Sequence, residues 1–323
     1  MKSKIGLALG SGVARGWAHI GIIRALADQG IVPDIIAGTS IGALAGGCYA
    51  AGKLDELEVF ARGLTRRRLF SLLDFSVGGS GLIKGSKLAS LLDEHIGELT
   101  FSQLERQFIA VATEMATGHE IWLREGRLGQ AMRASYALPG VFKPVKVNGR
   151  WLFDGALVNP IPVSVCRALG ARVVIAVNLN YDAFGRGARI QGKRLDDKSF
   201  RYDNGDNGNS GNSGDKDESE ETTSIDAGIS TISRILMQQF FGKDKEDNSA
   251  PGLSSIMFAA LNITQDRIAR SRLAGEPPDV TLTPRVGHIG LFDFDKAEEA
   301  IACGRTAVER RIERTRDMLK ILT

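Results

Sequence analysis

Gly38-Thr39-Ser40-Ile41-Gly42 places a serine hydroxyl between glycines where a short apolar run gives way to an Ala/Gly-rich stretch. A nucleophile on so sharp a turn needs strained backbone angles and neighbours without side chains, so that its hydroxyl stands clear of the sheet. Ser40 would then open a helix, where free N–H groups and the helix dipole favour developing negative charge. The plain alternative is a serine capping an ordinary helix. A second glycine-rich stretch, Gly10-Ser11-Gly12-Val13-Ala14-Arg15-Gly16, follows the first strand and opens the first helix; it can turn backbone N–H groups towards an anion, as an oxyanion hole requires. A dinucleotide turn is the rival there, but it wants an acidic residue at the far end of the second strand, where Gly38-Thr39-Ser40 stands. The third fragment, Trp151-Leu152-Phe153-Asp154-Gly155-Ala156, holds an Asp after an apolar strand. Alone it reads as a turn residue. Beside Ser40 and the glycine loop, Asp154 becomes the candidate base.

These groups need elements to hold them. Residues 4–9 predict a buried strand, 17–29 a helix ended by Gly30, 35–37 a second strand and 41–52 a closely packed helix. Strand, helix, strand, helix implies a parallel sheet covered on both faces. Further strands are expected at 108–113, 120–123, 173–178 and 279–283. Helical patterns fall at 86–95, 127–136, 161–169, 226–241 and 253–272, and Ile301, Val308, Ile312 and Leu319 share one face of a long docked C-terminal helix.

The chain has 323 residues, 43% hydrophobic and 24% charged, which excludes collagen-like and wholly disordered chains. No uninterrupted apolar stretch is long enough to predict a membrane-spanning helix. Its 41 basic and 38 acidic side chains leave a formal charge of +3, too balanced to point to nucleic acid. Three scattered cysteines, Cys48, Cys166 and Cys303, suit neither a disulfide framework nor a zinc site, and a cytoplasmic location is expected. Residues 203–221 contain seven acidic side chains and no apolar one, following a run of arginines and lysines. Such a stretch cannot offset its ordering entropy, so 183–224 is read as a mobile charged insertion within a single domain spanning 1–323.

Taken together, the Gly10–Gly16 loop with Arg15, the Gly38–Gly42 elbow, Ser135-Tyr136-Ala137-Leu138-Pro139-Gly140-Val141-Phe142 and Asp154-Gly155-Ala156 resemble the patatin-like phospholipase family. The likeness is to its bacterial branch related to neuropathy target esterase and runs through 4–182 and 253–310. It implies a three-layer α/β/α fold with a mainly parallel central sheet. It also implies a Ser–Asp dyad that hydrolyses acyl esters of phospholipids or lysophospholipids, with no metal, no organic cofactor and no catalytic histidine. It assigns Ser40 as nucleophile, Asp154 as base and N–H groups near Gly12 as oxyanion donors. Ser11 and Val13 stand where many members have glycine, and a positive φ at Val13 would be a warning. A regulatory or scaffold protein on the same fold, with little lipase activity, is the other reading.

Ser40, Asp154 and His288 also follow the chain order of a hydrolase triad, but too few strands precede the elbow for that fold. His19, near the glycine loop, is expected to pack or cap. Arg15 either bonds carbonyls to hold that loop or meets a lipid phosphate. Thr65-Arg66-Arg67-Arg68 before Leu69-Phe70-Ser71-Leu72-Leu73-Asp74-Phe75 suits either a solvated turn before a core helix or peripheral contact with an anionic membrane.

Overall fold

The computed structural model describes residues 3–72, 96–182 and 253–322, together with Lys87, Ser90 and Glu94, which are helical. The charged insertion expected at 183–224, the helical pattern at 226–241 and most of that at 86–95 lie outside the described residues.

In chain order the elements are β1 (Lys4–Leu9), α1 (Ala18–Asp28), β2 (Ile35–Thr39), α2 (Ile41–Ala50), α3 (Leu54–Arg62) and α4 (Arg66–Leu72). Then follow β3 (Gln107–Glu114), β4 (Glu120–Leu123), α5 (Leu128–Ser135), β5 (Val145–Val147), β6 (Arg150–Asp154), α6 (Val163–Ala168) and β7 (Ala171–Val177). The last part holds α7 (Leu253–Gly275), β8 (Val280–Leu282), α8 (Ala297–Glu309) and α9 (Ile312–Leu322). Among the described residues the strands form one sheet, in which β3-β2-β1-β7-β8 run parallel. β4 and β6 join β3 antiparallel, and β5 pairs with β6 through a hairpin turned at Asn148-Gly149.

Alternation along the central strands feeds two separate cores. Leu7, Leu9, Ile36, Phe108, Ile175 and Val177 face α1, α2 and α8 on one side of the sheet. Ala8, Ile35, Ala37, Ile109, Val111 and Val174 face α6 and Ala269 of α7 on the other. The result is the three-layer α/β/α arrangement. Each Leu or Ile buried in these layers contributes roughly 1.5–3 kcal/mol.

Two local expectations need correction. The glycine loop does not open directly into α1, because a 3-10 turn over Val13–Trp17 comes first. The long C-terminal helix is broken at Arg310-Arg311 into α8 and α9. The break lets the chain follow two surfaces: α8 lies along α1, and α9 turns onto β7 and β8.

Candidate active site

Strand register brings the two ends of the site together. On β3, Ala110 and Val111 pair with both β2 and β4, so those strands lie on opposite edges. Ala112 and Thr113 pair with both β4 and β6, so β6 shares the edge used by β2. Thr39 ends β2 opposite Val111, and Asp154 ends β6 opposite Ala112. The two strands meet end to end, and Ser40 and Asp154 arrive at the junction from opposite directions.

There the Ser40 hydroxyl donates to Asp154 Oδ2 at 2.6 Å. Asp154 Oδ1 accepts the Ala156 N–H at 2.8 Å, at the start of a 3-10 turn over Gly155–Leu157. Asp154 is 1% exposed and Ser40 7%. Burial pushes the Asp154 carboxyl up to about 7, against the pull of the Ser40 and Ala156 hydrogen bonds. Thr113 Oγ1 donates to the Asp154 carbonyl, and the Asp154 N–H donates to the Ala137 carbonyl, so its backbone is held on both sides.

Ser40 has φ 59° and ψ −126°, a conformation that costs a non-glycine residue on the order of 1–3 kcal/mol. Close packing enforces it. A Cβ on Gly42 would lie 2.2 Å from the Leu9 carbonyl oxygen, and one on Gly155 would lie 2.2 Å from that of Val111. Only residues without side chains let α2 start against β1, and the Gly155–Leu157 turn sit on β3, this closely. Gly38 lies within β2, and Ile41 opens α2 with its side chain against Gly16.

The glycine loop is tied down from three sides. The Ser11 N–H donates to the Pro160 carbonyl, just beyond the Gly155–Leu157 turn. His19 Nε2 bonds the Gly10 carbonyl at 2.7 Å; burial pushes this imidazole down to about 4, so it is neutral and Nε2 carries the donated proton. Arg15 is buried, giving Nε to the Ile289 carbonyl at 2.8 Å and Nη1 to Asn180 Oδ1 at 3.3 Å. Its guanidinium is thus occupied in joining the loop to the segment after β8. Val13 has φ 52°, the positive angle that a β-branched residue resists. Among the described residues, the N–H groups of Gly12 and Val13 find no acceptor, and the buried Ser11 Oγ has no partner.

Neither remaining sequence candidate joins this cluster. His288 bonds Glu299 Oε1 of α8 at 2.7 Å and is half exposed. Arg66 pairs with Asp295 and Leu69 is buried, as in a core helix; residues 73–75 lie outside the described residues.

A family model described as patatin-like phospholipase matches residues 7–167, a span containing Ser40, Ser135 and Asp154. An uncharacterised NTE family protein of Mycobacterium tuberculosis is 35% identical over 329 residues, covering 96% of this chain and 91% of the relative. The chain belongs to the patatin-like phospholipase family. A patatin-like phospholipase domain-containing protein of Caenorhabditis elegans is 37% identical over 182 residues, taking in 54% of this chain and 13% of that protein. The crystal structure of VipD from Legionella pneumophila overlies 100% of this chain and 67% of its own, at TM-score 0.44 and 11% identity.

In this patatin-like fold, the roles of several supporting groups escaped the sequence. Ser135, at the end of α5, accepts the Ser40 N–H through Oγ at 3.0 Å. A serine closing a helix carries no mark of such a role. The β5–β6 hairpin that delivers Asp154 did leave a signal in Asn148-Gly149, the dipeptide preferred in tight two-residue turns.

Proposed function

We propose that the protein is a serine esterase that hydrolyses acyl esters of phospholipids or lysophospholipids through Ser40 and Asp154. The single observation carrying this reading is the buried 2.6 Å bond from the Ser40 hydroxyl to the Asp154 carboxylate. Ser40 Oγ attacks the ester carbonyl carbon and its proton passes to Asp154 Oδ2. The carbonyl oxygen becomes an oxyanion, and the free Gly12 and Val13 N–H groups are its donors, each worth about 3 kcal/mol. The intermediate then collapses. The ester C–O bond breaks, Asp154 returns the proton to the leaving alcohol, and the acyl group stays on Ser40. Water attacks this acyl-enzyme while Asp154 takes its proton, and the fatty acid leaves as Ser40 recovers its hydrogen.

An ordinary aspartate is too weak a base for this work. A carboxyl raised to about 7 is matched to it at neutral pH. A fluorophosphonate probe should label Ser40 of the native protein, and Ser40→Ala and Asp154→Ala should abolish the labelling. Incubation with a mixed lipid extract should consume an acyl-ester lipid and release its fatty acid. An acyl-enzyme that still forms on the Ser40→Ala protein would overturn the proposal.

A further inference from the structure

We infer that Ser135 is a positioning residue, whose hydroxyl holds the end of β2 away from β3 and so sets Ser40 against Asp154. The inference rests on the reading of Ser40 as the nucleophile.

Ser135 is fully buried at the last position of α5. Its Oγ accepts the Ser40 N–H at 3.0 Å and donates to the Val111 carbonyl at 2.6 Å. Val111 is the residue opposite Thr39 in the β2–β3 ladder. In a parallel ladder the next rung would run directly from the N–H after Thr39 to the carbonyl of Val111. These are the two groups that Ser135 bridges. A hydroxyl has been spliced into the ladder at its final rung.

The splice has a geometric consequence. A direct rung holds nitrogen and oxygen about 2.9 Å apart, and an intervening oxygen holds them much further apart. β2 therefore parts from β3 at Ser40, one place before Asp154 takes over the same edge at Ala112. Without the hydroxyl, the buried N–H and carbonyl have two choices. They stay unpaired, at a cost of about 1–3 kcal/mol per group, or they close on each other and draw Ser40 towards β3. Closure moves the nucleophile off its base. The same short segment also fixes that base, since the Ala137 carbonyl accepts the Asp154 N–H at 3.0 Å. Ser135 and Ala137 thus hold the two halves of the dyad from one helix end.

A purely structural role would lower stability alone, so the test separates the two. Ser135→Ala and Ser135→Thr are compared with the native protein by unfolding midpoint, rate of Ser40 phosphonylation by a fluorophosphonate, and kcat and KM on a soluble acyl ester. A displacement of 1 Å in a reacting atom can cost about 10²-fold. Folded Ser135→Ala should therefore lose about 10²-fold in phosphonylation and in kcat with KM little changed, and Ser135→Thr, which keeps the hydroxyl, should recover most of that loss. Folded Ser135→Ala that reacts as fast as the native protein would overturn the inference. If the alanine variant does not fold, Ser135→Thr decides alone, and a folded threonine protein as slow as the Ser40→Ala protein overturns it. If Ser40 of the native protein takes no label, the esterase reading fails instead. Hydrogen exchange of the Ser40 amide then judges the bridge directly: faster exchange in folded Ser135→Ala supports it and unchanged exchange overturns it.

Discussion

Thr39 and Asp154 occupy successive places on one edge of β3, the first opposite Val111 in a parallel pairing and the second opposite Ala112 in an antiparallel one. Strands that approach from opposite directions, rather than loops, bring the hydroxyl and the carboxylate together. Sheet register is strongly fixed when both faces are buried. The site thereby inherits its precision from the two cores on either side of β3.

On the proposed mechanism, the buried carboxylate should make activity pH-dependent in a defined direction. With its carboxyl pushed up to about 7, Asp154 holds a proton below that pH and cannot accept one from Ser40. kcat/KM on a soluble ester should fall about tenfold per pH unit below about 7 and level off above it. His288→Ala, which removes an imidazole bound to Glu299, should keep both the turnover and the limb. A limb that disappears with His288 would return the imidazole to the mechanism.

The same group acts on stability with the opposite sense to an ion-paired aspartate. Its folded-state value is raised above the ordinary 3.8, so between 3.8 and about 7 the folded protein keeps a proton that the unfolded chain has released. The stability it contributes is complete below 3.8 and is lost as pH rises through about 7. Asn at this position can accept the Ala156 N–H and meet the Ser40 hydroxyl without carrying charge. Asp154→Asn should therefore be inactive yet gain stability over the parent as pH rises from about 4 to 8, on the order of a few kcal/mol. Denaturant unfolding at the two ends of that range checks it, and a constant difference would refute it.

Val13 stores strain in the glycine loop. A left-handed backbone costs an L-residue roughly 1–2 kcal/mol, and Val13 is only half-buried, so little packing is lost with its side chain. Val13→Gly should be neutral or stabilising by about 1 kcal/mol, where valine-to-glycine changes elsewhere in the fold destabilise. Thermal unfolding of this variant beside Val173→Gly, at a fully buried position of β7, supplies the comparison.

Legibility in the sequence followed the strength of local signals. β1, β2 and α2 were visible because short apolar runs end at glycines, and the elbow could be read there; Asp154-Gly155-Ala156 stood out after the apolar run at the end of β6. Asn148-Gly149 is a dipeptide suited to a hairpin turn, but Val145–Val147 is too short and too mixed to read as a strand by itself. The break at Arg310-Arg311 has neither glycine nor proline to mark it, since tertiary surfaces on α1 and on β7 and β8 decide it. Ser135 and His19 act through bonds to distant backbone, and no spacing rule reports such bonds. Hydrogen bonding of that kind belongs to the assembled sheet.

Gly42 gives the most direct test of the elbow's close packing. A methyl group there meets the Leu9 carbonyl oxygen at 2.2 Å and the Gly10 carbonyl oxygen at 2.7 Å, both rigid backbone of the central strand and the loop after it. No rotamer relieves the clash, so α2 must lift from β1 and carry Ser40 with it. Overpacking of this kind typically costs about 1–3 kcal/mol, and the displaced hydroxyl should cost about 10²-fold in kcat. Gly275, the last residue of α7, is the matched control, because a Cβ there meets nothing within 4 Å. Gly275→Ala should hold full activity and gain up to about 1 kcal/mol from helix propensity. Esterase kinetics and unfolding midpoints on the two variants separate the cases, and a Gly42→Ala protein with native kcat would mean that the contact between α2 and β1 does not position Ser40.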